Sequence, residues 1–161
     1  SKNCSNIYIN NCTFLRNQLK ILNSNNCNIA ENLFRWTVFA IQTYYTSDLI
    51  INNNNFYGNS DHCIELIDSV NCNATIINNE FINISYSAIH LIYSGNVTLD
   101  GNIMMNCAGI SILPGIEDLS TIIDPYNINI SPSNMVDGDP IYYFVNMNGI
   151  NESNYANAAQ I

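Results

Sequence analysis

An all-β solenoid is the fold class this 161-residue sequence predicts, and three observations predict it. A short motif recurs five times at a spacing of 20–25 residues. The runs around it are three or four residues long and alternate apolar with polar side chains. Asparagine and isoleucine supply 31 and 26 positions, and both disfavour helix.

The first recurring element is an Asn-x-Phe-like core. It reads Asn11-Cys12-Thr13-Phe14, Glu31-Asn32-Leu33-Phe34, Asn54-Asn55-Phe56, Asn79-Glu80-Phe81 and Asn102-Ile103-Met104, its last residues 20, 22, 25 and 23 apart. A second element follows each one: Leu19-Lys20-Ile21, Ile41-Gln42-Thr43, Ile64-Glu65-Leu66, Ile89-His90-Leu91 and Ile110-Ser111-Ile112. Between repeats come a Ser/Asn-rich turn and a third run: Ile7-Tyr8-Ile9, Asn28-Ile29, Leu49-Ile50-Ile51, Thr75-Ile76-Ile77 and Val97-Thr98-Leu99. Three runs per period wrap the chain into a three-sided coil, and successive coils stack as parallel strands about 4.8 Å apart. That is a parallel β-helix. Stacking predicts an internal row of Phe14, Phe34, Phe56 and Phe81, completed by Met104. Asparagine at the corners accepts left-handed backbone and bonds to its copies above and below. A leucine-rich repeat has a similar period but needs a Leu-x-x-Leu-x-Leu consensus, which is missing.

The period breaks at Pro114, and an irregular excursion is expected over 114–127, extending to 135 before a returning coil over 136–161. Regular coils occupy 1–113, so the whole chain reads as one β-helix domain. A strand is expected at Ile141-Tyr142-Tyr143-Phe144-Val145. The chain opens inside the repeat pattern and carries no leader-like segment at Ser1, so it reads as a fragment of a longer protein.

The repeat resembles the right-handed β-helix family often grouped as carbohydrate-binding and sugar-hydrolase-like domains. The stretch Ser133-Asn134-Met135-Val136-Asp137-Gly138-Asp139-Pro140-Ile141-Tyr142-Tyr143 is similar to the Asn-Thr-Val-Asp-Gly-Lys-Pro-Ile-Tyr-Tyr element of NosD-like β-helix proteins, with Met135 for Thr and Asp139 for Lys. In that family a Gln-Ile-Ile-Leu stretch opens the next coil, and this chain stops at Gln160-Ile161. The resemblance implies an extracellular, cell-surface or periplasmic module, structural, carbohydrate-binding or adhesin-like, whose partner is a polysaccharide or cell-envelope glycan. It implies two alternatives: a hydrolase, lyase or epimerase acting on polysaccharide, and a periplasmic accessory in copper-site maturation.

Composition narrows these classes. Only 11% of residues are charged, against an ordinary ~25%. Four Lys and Arg with a net charge of −9 argue against nucleic acid as a partner. No apolar run is long enough for a transmembrane helix. Stacking the second elements lines up Lys20, Gln42, Glu65, His90 and Ser111, expected to point outward. Further along comes a row of Asn23, Tyr45, Asp68, Tyr93 and Pro114. Gln42, Tyr45, Glu65, Asp68, His90 and Tyr93 therefore form the candidate ligand face, because sugar rings offer apolar faces and hydroxyl edges.

Polysaccharide cleavage needs carboxylates about 5–10 Å apart, and Asp61, Glu65 and Asp68 are the candidates. A lyase would also need a basic residue to abstract a proton and a cation to neutralise the uronate; Lys and Arg are scarce and the repeating Asp motifs of Ca²⁺-binding β-rolls are absent, so the balance leans away from an enzyme. No metal site is expected: His62 and His90 sit at different offsets from their isoleucines, and His-x-x-x-His and Cys-x-x-Cys are both absent. No cofactor is expected. Cys4 and Cys27 occupy comparable turns one coil apart, a spacing within disulfide range, but the six cysteines read better as mostly free, buried thiols. Seven Asn-x-Ser/Thr sequons, at Asn3, Asn11, Asn73, Asn83, Asn96, Asn129 and Asn151, permit glycosylation.

Overall fold

The computed structural model describes residues 3–69, 71–113, 127–143 and 158. Its strands fall into three sheets, one strand per sheet per coil. The first sheet holds β1 (Ser5–Asn10), β4 (Asn25–Ala30), β7 (Ser47–Asn52), β10 (Ala74–Ile77), β13 (Val97–Asp100) and β16 (Ile128–Ile130). The second holds β2 (Thr13–Leu15), β5 (Leu33–Arg35), β8 (Asn55–Tyr57), β11 (Glu80–Ile82), β14 (Ile103–Met105), β17 (Met135–Val136) and β18 (Asp139–Pro140). The third holds β3 (Leu19–Leu22), β6 (Ile41–Tyr44), β9 (Ile64–Ile67), β12 (Ile89–Ile92) and β15 (Ile110–Leu113). Every pairing is parallel between neighbouring coils except the β17–β18 hairpin. Among the described residues there is no helix.

The core is built from residues at the same register. Ile9, Ile29, Ile51, Ile76, Leu99 and Ile130 form one inward row of the first sheet. In the second sheet Phe14, Phe34, Phe56 and Phe81 stack with centroids 4.5, 5.0 and 4.7 Å apart and planes within 9°. Met104 continues that row and is fully buried. Spacing of the rings follows from the coil step and places them in the range of favourable stacking. Leu19, Ile41, Ile64, Ile89 and Ile110 form the matching row of the third sheet.

Asparagine divides into two populations. One sits at the corners, where the chain turns through left-handed backbone. Of the 20 non-glycine residues with positive φ among the described residues, 15 are Asn or Asp, the residues that visit this region at least cost. The other population is internal. Asn32, Asn54, Asn79, Asn102 and Asn134 are 0–1% exposed. Each of the first four donates its amide to the carbonyl oxygen of the next, at 3.0, 3.0, 3.0 and 2.8 Å. Each amide also donates across one coil, to the carbonyls of Ile9, Ile29, Ile51, Ile76 and Leu99. This ladder satisfies buried polar groups at the bend entering the second sheet. In the first coil Cys12 holds the position and donates its backbone N–H to Asn32 Oδ1 at 2.9 Å.

Two expectations need correction. Cys4 does not stack on Cys27: it aligns with Ser24, whose hydroxyl accepts the Cys4 N–H, while Cys27 points inward between Ile7 and Leu49. No disulfide joins the six cysteines. The thiols are also less buried than expected: Cys4 and Cys12 are exposed and Cys107 is half-buried, while Cys27, Cys63 and Cys72 are buried, and burial pushes these three thiols up from their ordinary pKa. The solenoid resumes directly after the excursion expected over 114–127: β16 pairs with β13 from Ile128, and Ile128 and Ile130 continue the inward rows. Asp137 and Gly138, both at positive φ, make the tight turn of the β17–β18 hairpin. The excursion over 114–126 and most of the returning coil lie outside the described residues. Of the expected strand at 141–145, Ile141 is buried and bonded to the Asn134 carbonyl.

Candidate functional site

The third sheet brings together the densest set of titratable groups among the described residues. Lys20, Gln42, Glu65, His90 and Ser111 lie side by side on consecutive coils, in the expected register. They do not all face open solvent. Gln42 is 8% and Glu65 6% exposed, which corrects the expectation of an outward row. An alternating strand reads as one face in and one face out, but the loop between β8 and β9 folds back over this face. His62, on that loop, packs its ring 4.2 Å from His90 and 5.7 Å from Tyr86.

Burial of a carboxylate requires partners, and Glu65 has them. Gln42 Nε2 donates to Glu65 Oε2 at 2.5 Å, and Gln18 donates to the carbonyl oxygen of Gln42. His90 Nδ1 lies 3.4 Å from Glu65 Oε1. The result is a one-way chain of donors, Gln18 to Gln42 to Glu65, with the imidazole at its far end. Desolvation and the neighbouring His62 hold His90 below its ordinary pKa, against the opposing pull of Glu65. His62 Nε2 is 3.7 Å from Asp61 Oδ1. At the start of the row the Lys20 ammonium sits 4.7 Å from the Tyr44 ring centroid, a cation–π contact.

The second candidate row lies at the corner after the third sheet. Asn23, Tyr45, Asp68 and Tyr93 all adopt left-handed backbone, with φ of 48–50°. Tyr45 is 61% exposed, and Asp68 and Tyr93 are half-buried. The Tyr45 hydroxyl lies against the Asp68 carboxylate, which raises the phenol pKa. Tyr45 also lines an open groove with Asn23, Asn25 and Ser47. Pro114, the fifth member, lies outside the described residues.

The three candidate acids have three different partners: Asp61 faces His62, Glu65 faces Gln42 and His90, and Asp68 faces Tyr45. Among the described residues no group of three or more His, Cys, Asp or Glu is placed to hold a metal ion. The His62–His90 contact was missed, because offsets within a repeat locate strand residues and not the reach of an irregular loop. Tyr86 was missed for the same reason. The nearest sequence signal was the cluster Asp61-His62 beside Glu65.

Comparison with known proteins agrees with this architecture. No curated protein matches the chain, and neither does any solved structure. A family model described as the right-handed β-helix region matches residues 1–119. That match covers most of the chain and supplies the hand of the coil, and the protein therefore belongs to the right-handed β-helix family.

Proposed function

We propose that this chain is an extracellular, cell-surface β-helix module that binds carbohydrate along the third sheet and its following corner. The observation that carries the reading is the corner row. Tyr45 and Tyr93 hold left-handed backbone, which costs a bulky side chain about 1–2 kcal/mol. Most other corners in the chain avoid that cost with Asn, Asp or Gly. Two tyrosines that keep it, flanking the half-buried Asp68, supply ring faces for sugar stacking and a carboxylate for hydroxyl edges, while Gln42 and Glu65 lie buried beneath and support the face.

The tail segment that resembles the NosD-like element belongs to the solenoid. Asn134 extends the internal ladder and the Asp137-Gly138 turn closes the hairpin, so the resembling segment is packed as a rung of the solenoid.

The test is a glycan array followed by calorimetry on the strongest hit. Tyr45→Ala with Tyr93→Ala should weaken binding by at least about tenfold, the loss of one to two stacking contacts. Absence of any bound glycan, or full affinity in the double variant, would overturn the proposal.

A further inference from the structure

We propose that Ser111 and His90 act as nucleophile and base, with Glu65 positioning the imidazole, to hydrolyse small O-acyl esters. The three residues occupy the same register on β9, β12 and β15. His90 therefore lies between the other two, one coil step of about 4.8 Å from each strand. On one side, His90 Nδ1 lies 3.4 Å from Glu65 Oε1. Gln42 anchors the second carboxylate oxygen, which fixes the direction from which Glu65 meets the ring. Nδ1 lies on the acid's side, buried and with no hydrogen bond of its own, and the neighbour in register on the opposite side is the half-buried Ser111. Catalytic hydrogen bonds are often long before substrate binds, and both the Glu65–His90 and the His90–Ser111 contacts are expected to tighten around an ester.

His62 packs over the imidazole at 4.2 Å and shields it from water. Shielding and the proximity of His62 favour the neutral ring, the form a general base requires. A purely structural row has no need of this order of residues. The internal ladder shows that identical amides satisfy such a row without a titratable group.

The reaction balances with water as the only co-reactant. Ser111 Oγ attacks the ester carbonyl carbon while His90 Nε2 takes the hydroxyl proton. The carbonyl–alkoxy bond breaks, the alcohol leaves with that proton, and the acyl group stays on Ser111. Water then attacks the acyl carbon, giving up a proton to His90. The bond to Oγ breaks, the carboxylic acid leaves, and the proton returns to Ser111. Glu65 touches no reacting atom and is a positioning residue.

The proposal stands apart from glycan binding, because its probes are soluble and carry no sugar. The full chain is treated with a fluorophosphonate and with p-nitrophenyl acetate. We expect a covalent adduct mapped to Ser111 by mass spectrometry and absent in Ser111→Ala. Ester hydrolysis should fall at least ~100-fold in Ser111→Ala and in His90→Asn. Glu65→Gln should keep the adduct but lose about tenfold in rate and shift the ascending limb of the pH–rate profile. That limb reports His90, which is faced by Glu65 from β9, by Asp61 and His62 from the preceding loop, and by Ser111 from β15; Tyr86 stands behind His62. No adduct at Ser111, or an unchanged rate in Ser111→Ala, would overturn the assignment. Ser111 is polar and half-buried, so its alanine variant should fold, and an unchanged thermal midpoint verifies this.

Discussion

Asn32, Asn54, Asn79, Asn102 and Asn134 occupy one row of the stack, and Lys20, Gln42, Glu65, His90 and Ser111 occupy another. Both rows run along the coil axis, and both contain buried polar groups. The first repeats a single residue. A carboxamide carries a donor and an acceptor, so each copy satisfies its neighbours and the row extends indefinitely. In the second, every coil has a different side chain. Contacts there are paired one by one: a cation on a tyrosine ring, an amide on a carboxylate, a carboxylate on an imidazole. Repetition of one self-complementary side chain extends a row without limit, whereas the mixed row is held together contact by contact.

The largest expected effect tests the uniform row. Asn79→Ala removes the acceptor for both the backbone N–H and the side-chain amide of Asn54, and the donor to Ile51 O. At about 1–3 kcal/mol for each unsatisfied buried group, the loss should reach at least ~3 kcal/mol in urea unfolding. Ser111→Ala in the mixed row should stay within about 0.5 kcal/mol. Equal costs in the two rows would break the comparison.

The aromatic row and the coil register were legible in the sequence because they depend only on residues recurring at one offset. Phe14, Phe34, Phe56, Phe81 and Met104 needed no knowledge of the loops between them. Ladder asparagines were harder to separate from corner asparagines, since both lie at the bends and share one residue type. Only the structure places Asn54 inside and Asn53 at a left-handed corner. The cover over His90 is not legible in the sequence. Residues 58–63 follow no period, so neither their path nor the approach of His62 to His90 can be read from spacing. Residue identity pairs Cys4 with Cys27, but coil position makes Ser24 the equivalent of Cys4.

Acid should separate the rows next. Amides do not titrate, so the asparagine ladder holds at any ordinary pH. His90 is held below its usual value of 6.5 by desolvation and by His62. Its folded form therefore binds a proton less readily than the unfolded chain does. Stability from this source is complete above about pH 6.5 and declines as pH falls toward the folded value. Urea midpoints measured from pH 7.5 to 5 should drop, and His90→Asn should flatten the slope. A slope that survives the substitution would assign the pH response to other groups.

The smallest expected effect concerns the corner beside the mixed row. At φ 50°, Tyr45 sits where Asn23 sits one coil earlier, and Asn tolerates that backbone at lower cost. Tyr45→Asn should therefore stabilise the fold by about 0.5–1 kcal/mol, seen as a raised urea midpoint. The exposed ring buries little surface, so removing it sacrifices little packing. The same variant should lose glycan affinity if the tyrosine is kept for stacking. A gain in stability with a loss of binding would identify Tyr45 as a residue held at a conformational cost for its surface chemistry. A loss of stability would instead place the ring among the supports of the corner, leaving Tyr93 alone to carry the binding face.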